Sequence, residues 1–300
     1  MPTRRYGSHT VETSNEDKVL FPDARITKGE IIEYHEKIAP LMIRHIQDRP
    51  LSFQRYPDGI DNDGFYQQDA KEHFPDWIET VRVPSQDGDV SHVVVRRTAD
   101  LAYLANLGVI TVHAWLSRRA TRDYPDMFVF DLDPPDSGGF DAVRTCALDL
   151  KRVMEDVGLT PYVKTTGSKG LHVVCPIRPE RSFDDVRRIA HRMAGYMADA
   201  HPDRYTTEQR KDDRCGRLYL DVGRNAAGQT VVAPYSLRAR PAAPVAAPLS
   251  WDEVRDRNQR PDTYTLGNVL RRLGQKDDPW MGMHRHAARL DAAAKAFGSG

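Results

Sequence analysis

No stretch of this 300-residue chain is apolar for long enough to cross a bilayer. The opening MPTRRYGSHT has basic residues but lacks the apolar run that a secretory signal carries behind them. Cysteine is scarce: Cys146, Cys175 and Cys215 are odd in number and form no CxxC pair. That argues against a disulfide framework and a thiolate zinc site, and for a reducing cytoplasm. The eleven histidines form no HExxH or similar metal cluster. Net charge is also missing, because 43 Lys and Arg balance 43 Asp and Glu. Composition therefore does not point to nucleic acid, although a zero sum can hide a local basic groove. There is no internal repeat.

The length suffices for one large or two intimate domains around a sizeable core. Thr27 and Glu30 have capping-box spacing, and Ile31, Tyr34, Ile38, Leu41 and Ile46 follow with helical period, closed by Pro50. Residues 51–56 and 64–68 read as strands around a Pro57-Asp58-Gly59 turn. Residues 77–83 and 91–95 read as a hairpin around Asp87-Gly88. A helix is predicted over 98–107, stopping at Gly108, and then a strand over 109–113. Further strands fall at 127–133, 162–165, 171–176, 217–221 and 230–233, and helices at 140–157 and from Ser182 to about 198. Residues 241–248 are Pro/Ala-rich and read as an extended linker, before a weakly helical tail and a Gly-Ser-Gly end. Alternating short strands and helices predict an α/β (α+β) sandwich with mixed sheets.

In Phe128-Val129-Phe130-Asp131-Leu132-Asp133, strict alternation puts Asp131 and Asp133 on one face, roughly 6–7 Å apart. Two anions so placed repel each other unless a cation neutralises them, and a hard divalent ion with carboxylate ligands does so. Leu218-Tyr219-Leu220-Asp221 again ends an apolar run with a carboxylate. Three such groups can hold the paired ions that align an attacking hydroxyl and a leaving pyrophosphate. The plainer reading, an Asp at a strand end as turn chemistry, stays open above all for Asp221. Between two apolar strands, Thr166-Gly167-Ser168-Lys169-Gly170 offers backbone N–H groups as an anion nest, with a hydroxyl and a point charge. A strand follows it, so it is not a Walker A loop, and a polar hairpin turn is the alternative. His172 can reach a phosphate from there or be structural.

Together these segments, with Ala233-Pro234-Tyr235-Ser236-Leu237-Arg238, resemble the polymerase domain of bacterial ligase D, in the archaeo-eukaryotic primase superfamily. The resemblance runs from near Lys18 to about Arg272. It implies a primase-type fold, two mixed or antiparallel sheets flanked by helices, with the active site in the cleft between them. One catalytic domain over 1–300 is expected, with a core about 15–240, a linker 241–249 and a helical tail 250–297. The resemblance further implies template-directed nucleotide addition with two Mn2+ or Mg2+ ions on Asp131, Asp133 and Asp221, ribonucleotides often being preferred. It assigns Thr166, Ser168, Lys169 and His172 to the incoming triphosphate, Arg214 and Arg238 to phosphate contacts, and His113 to the nucleotide sugar. Phe65 and Tyr66 match aromatics that stack on base or template, next to Arg55 at the nucleotide site. Adjacent in a strand, those two aromatics face opposite ways, so at least one is expected in the core. Lys18 and Lys28, unremarkable surface lysines by their own sequence context, match lysines that grip a 5′-phosphate at a gap or break.

Implied partners are DNA with gaps or double-strand breaks, NTP or dNTP, Ku and a DNA ligase, with no membrane and a cytoplasmic, nucleoid-associated location. End joining and short-gap excision repair are both open. Gln54 before Arg55, where some relatives have Lys-Arg, and Arg224, where some have Gln, put sugar selectivity and 5′-phosphate preference in question. Two rival readings remain. A non-catalytic DNA-end-binding module would keep the fold, but loss of a carboxylate would favour it and all three are present. A haloacid-dehalogenase-type phosphatase also has Asp-x-Asp after an apolar strand, yet it wants Thr or Val soon after, and here Pro134-Pro135 follows.

Overall fold

The computed structural model describes residues 2–70, 74–84, 88–135 and 139–297. In chain order the first elements are β1 (Thr3–Tyr6), β2 (His9–Glu12), β3 (Val19–Phe21), β4 (Ile26–Thr27) and helix α1 (Lys28–Ile46). Then come β5 (Leu51–Arg55), β6 (Phe65–Gln67), β7 (Thr80–Val83), β8 (Val90–Val93), α2 (Thr98–Asn106) and β9 (Val109–Trp115). The middle of the chain holds β10 (Met127–Leu132), α3 (Phe140–Asp156), β11 (Tyr162–Thr165), β12 (Leu171–Pro176) and α4 (Phe183–Ala200). After β13 (Tyr205–Thr206), β14 (Leu218–Asp221), β15 (Thr230–Val232) and β16 (Pro248–Leu249), the short helices α5 (Trp251–Arg255), α6 (Val269–Leu273) and α7 (Asp291–Phe297) finish it.

The chain folds as two compact units, and neither is continuous in sequence. The first comprises residues 1–120, 230–247 and 264–276, and the second 121–229, 248–263 and 277–300. An antiparallel sheet in the order β15-β9-β5-β6 forms the first unit's centre. Helix α1 packs its Ile31, Tyr34, Ile38 and Ile46 face into that unit's core, while Leu41 is only half-buried. The Thr27–Glu30 capping box is formed in both directions, so its orphan N–H groups are satisfied as the spacing predicts. The helix stops at Ile46, ahead of Pro50, because the chain has already turned left-handed at Asp48. Buried Tyr34 donates its hydroxyl proton to Tyr235 O at 2.6 Å, pinning α1 to the late segment.

In the second unit six strands run β13-β14-β10-β12-β11-β16, antiparallel throughout except at β13–β14. Helices α3 and α4 lie against it, α4 capped at Ser182 as expected. The tail is anchored: the indole N–H groups of Trp251 and Trp280 donate to Pro161 O, just before β11, and to Val163 O within it, at 3.0 and 2.9 Å.

Three local expectations differ. Residues 241–248, expected as an extended linker, are extended but packed into the fold: Ala243, Val245, Ala246 and Ala247 are fully buried and Leu249 pairs with Val163 in β11. Their small side chains let this extended backbone fold onto residues 235–238 through reciprocal Tyr235–Ala246 and Ala246–Ser236 bonds. The hairpin of β7 and β8 starts only at Thr80, and Asp87 of its expected turn, like the Gly-Ser-Gly end, lies outside the described residues. Strand β9 continues two residues beyond His113 because β15 pairs with it through Trp115.

Candidate active site

The expected site residues fall on both units. In the second, strand register does what local sequence cannot. Asp221 in β14 lies opposite Asp131 in β10, Asp131 lies opposite His172 in β12, and His172 lies opposite Lys164 in β11. Directly paired residues on antiparallel strands share a face. Asp221, Asp131, His172 and Lys164 therefore form one row across four strands, roughly 14 Å long at the usual strand spacing. Asp133 stands two residues beyond Asp131, just past the end of β10, and is exposed.

Two carboxylates as a direct cross-strand pair repel each other. Burial works against the Asp131 charge, but His172, whose Nε2 lies 3.2 Å from Asp131 Oδ1, outweighs it with help from Arg224 and Lys164. The carboxyl therefore stays below the ordinary carboxylate range and is ionised at neutral pH. Asp221 Oδ1 accepts the Gly223 N–H at 2.7 Å, which fixes its rotamer. Among the described residues no three His, Cys, Asp or Glu side chains already converge as a metal cage. The donor chemistry nevertheless fits a hard divalent ion: Asp131, Asp133 and Asp221 offer carboxylate oxygens at the ends of adjacent strands, where a cation would relieve the paired anions.

The Thr166–Gly170 turn is a polar hairpin between β11 and β12, and its internal bonding revises the expected nest. Buried Thr166 accepts the N–H groups of Ser168 and Gly170 on Oγ1, at 3.3 and 3.2 Å, so those two donors are turned inward. What the turn presents outward is the half-buried Ser168 and the exposed Lys169. Gly167 has φ +63, and Gly170 is needed for closeness: a Cβ there would sit 2.0 Å from Leu132 O and 2.8 Å from Asp133 Oδ1. The turn is thereby packed against the end of β10. Arg214 is folded back, donating to Glu208 O and Gln209 O at 3.2 and 2.7 Å with its guanidinium over the Tyr219 ring.

In the first unit, Lys18 and Lys28 come together because the Lys28 N–H donates to Lys18 O at 2.8 Å. Lys28 is buried rather than a solvated surface lysine, its ammonium donating to Ser14 Oγ at 3.3 Å. Burial, and then the like charge of Lys18, push it below the usual lysine range, with Glu16 partly opposing. Lys18 is bonded to Asp58 at 2.5 Å. The expectation that Phe65 or Tyr66 enters the core fails: both are about half exposed, at 48% and 45%, because β6 is a three-residue edge strand wet on both faces. The Arg55 guanidinium lies over the Phe65 ring at 5.0 Å and donates to Gln67 Oε1 and Leu107 O. These side chains line a groove of about 650 Å3 with Asp69 and Val90. Tyr66 meets the His113 ring edge-on at 5.7 Å and bonds Thr230 at 3.0 Å. Arg238, half-buried, follows the segment that docks on residues 244–246.

Two residues of this region escaped the sequence reading. Lys164 is 1% exposed in the row with His172, and a lysine in an apolar strand was its only signal. Asn225, also buried, holds the backbone of β10, and nothing in Arg224-Asn225-Ala226 announced it.

The family described as LigD, primase-polymerase domain, matches residues 27–280. Among curated relatives, the multifunctional non-homologous end joining protein LigD of Mycolicibacterium smegmatis is 32% identical over 270 residues, 89% of this chain and 35% of that protein. The bifunctional LigD of Bacillus subtilis is 30% identical over 271 residues, 90% of this chain and 43% of that protein. The chain thus spans well under half the length of these relatives. The solved polymerase domain of Mycobacterium tuberculosis ligase D in complex with DNA superposes with a TM-score of 0.88 at 29% identity, covering 92% of this chain and 99% of that one. With its fold and the match over most of its length in agreement, this chain belongs to the LigD primase-polymerase domain family, and is a nucleotidyltransferase of that kind.

Proposed function

We propose that this chain is a template-directed polymerase that adds nucleotides, NTPs in preference to dNTPs, to primer ends at short DNA gaps or broken ends. The observation that carries this reading is the cross-strand pair Asp131–Asp221, with Asp133 just past the end of β10 and the Ser168–Lys169 turn packed against the same strand end. Asp131, Asp133 and Asp221 would hold two divalent ions, Mn2+ or Mg2+, which supply Lewis-acid stabilisation of the attacking and leaving oxygens. Ser168 and Lys169 bind the triphosphate, and Thr166 acts by shaping their turn. His172 holds Asp131 ionised and oriented. Asp221 is the residue that takes part in activating the primer 3′ hydroxyl. Arg214 and Arg238 contact phosphates, Arg214 after swinging off Tyr219.

On the first unit, His113 serves the nucleotide sugar, Phe65 and Tyr66 stack on base or template, and Arg55 supports Phe65. Lys18 and Lys28 receive the 5′-phosphate on the far side of the gap. The buried, charge-repelled Lys28 supports that role, since a dianionic partner would relieve both penalties. In the cell we place the reaction in the cytoplasm, on nucleoid DNA, in end joining with Ku and a ligase or in short-gap excision repair.

The test is primer extension across a short gap bearing a 5′-phosphate, with Mn2+ and either NTPs or dNTPs, beside Asp131→Asn. Gap filling that vanishes in the variant while gap binding persists supports the polymerase. Extension retained in Asp131→Asn refutes the metal assignment. Tight gap binding with no extension in the unmodified chain would leave a non-catalytic end-binding module.

A further inference from the structure

We propose that Asn225 is a positioning residue for the carboxylate centre, setting the distance between Asp131 and Asp221. This rests on the polymerase reading above. Strands β10 and β14 pair only through Asp131–Asp221 and Leu132–Leu220. Beyond Asp221 the chain leaves the ladder for a 3-10 turn, Gly223–Asn225. Val129, two residues back along β10, would there lose strand partners for both its N–H and its C=O.

The Asn225 amide takes the place of the missing strand. Its Oδ1 accepts the Val129 N–H at 2.8 Å, and its Nδ2 donates to Val129 O at 2.7 Å. The second Nδ2 proton goes to Val222 O at 2.8 Å. Reversing the amide would set Nδ2 against an N–H and Oδ1 against two carbonyls, so the three bonds determine its orientation. All the groups are buried: Val129 and Val222 are inaccessible and Asn225 nearly so. One side chain therefore grips the backbone two residues from Asp131 and one residue from Asp221. With only two residue pairs in the β10–β14 ladder, this clamp is what keeps the two carboxylates from drifting apart under their mutual repulsion. Asn225 touches no reacting atom. It acts through the strands that carry those that do.

The experiment titrates Mn2+ alone into the full chain, without DNA or nucleotide, and follows the free Mn2+ signal by electron paramagnetic resonance. Asn225→Ala is compared with Leu150→Ala, a truncation of a buried α3 side chain that lowers stability without touching either strand's backbone bonds. Outer-shell partners of metal sites are typically worth on the order of 10–100-fold in affinity, so Asn225→Ala should weaken Mn2+ binding at least tenfold. In gap filling its half-saturating Mn2+ should rise in step, with the KM for gapped DNA unchanged, while Leu150→Ala shows neither effect. Should Asn225→Ala fail to fold, Asn225→Ser keeps one polar atom and should show the same shift in smaller measure. Mn2+ affinity within twofold of the unmodified chain, or losses in Asn225→Ala and Leu150→Ala that simply track melting temperature, would overturn the proposal. Absence of Mn2+ binding by the unmodified chain would remove the metal assignment itself, and this proposal with it.

Discussion

Gly170→Ala adds a single methyl group, and the structure says where it goes. On the present backbone the new Cβ would lie 2.0 Å from Leu132 O and 2.8 Å from Asp133 Oδ1, where ordinary contact is 3.4–4 Å. Something must retreat by more than 1 Å, and although the Asp133 carboxylate can swing aside, the nearer neighbour, Leu132 O, is strand backbone and cannot. Leu132 O belongs to β10, which carries Asp131, and Gly170 O accepts the Thr166 N–H that closes the turn. The next residue, Leu171, is in register with Leu132. Relief therefore opens the β10–β12 ladder at the end that bears the carboxylates, or lifts the Ser168–Lys169 turn off it. Overpacking of this kind costs about 1–3 kcal/mol, which lowers the melting temperature by several degrees in a chain of this size. The functional loss should be larger, because a 1 Å misplacement in a reacting constellation costs on the order of 100-fold in rate. Gly195→Ala is the matched control: it lies inside α4 with nothing within 4 Å of the added methyl, and should leave stability equal or slightly higher. Melting by differential scanning fluorimetry and single-turnover gap filling are read side by side. Gly170→Ala that extends primers at the unmodified rate would refute the inference that this glycine exists for close approach to the carboxylate strand.

Other outcomes follow from the same geometry. Buried His35, whose Nδ1–H donates to Ile31 O, has its pKa pushed by burial from 6.5 down to about 4. The unfolded chain then binds the proton first, so stability is intact above pH 6.5 and falls between pH 6.5 and 4 by about 3 kcal/mol. His35→Leu should flatten that part of the denaturation-versus-pH curve, and an unchanged slope would contradict the burial argument. Lys28→Met should raise the melting temperature, because it removes a buried ammonium repelled by Lys18, yet abolish the preference for gaps carrying a 5′-phosphate. The salt slope of gap binding should become shallower by about one unit for each phosphate that is no longer neutralised. Equal weakening with and without the 5′-phosphate would reduce Lys28 to general backbone attraction.

Short-range signals were readable in the sequence and long-range ones were not. The α1 capping box, the apolar strand that carries Asp131 and the hairpin around Gly167–Gly170 depend on residues within a few positions of one another, and they stand where the pattern put them. That Asp221 lands directly opposite Asp131 is a matter of register between strands some ninety residues apart, which no local period encodes. Family likeness named Lys28, but its burial is tertiary, produced when the Lys18 loop docks on the first turn of α1. The Pro/Ala stretch misled for the opposite reason. Its composition suits an exposed spacer, and only the fold supplies a core with room for alanines. Asn225 was invisible because a lone asparagine in a turn reads as turn chemistry until the strand it completes is known.

The interleaving of the two units also has a consequence in time. Strand β9 is covered on one edge by β5, made earlier, but its other edge waits for β15, where Thr230 pairs with Trp115. At translation rates of about 5–20 residues per second, that edge stays bare for roughly 6–23 s as the chain emerges from the ribosome. A nascent or truncated chain ending near residue 120 would thus display an unpaired strand rich in valine and isoleucine, a template for misassociation. Fragments cut at the apparent boundary should aggregate, whereas a chain carried through residue 276 has every segment the first unit needs.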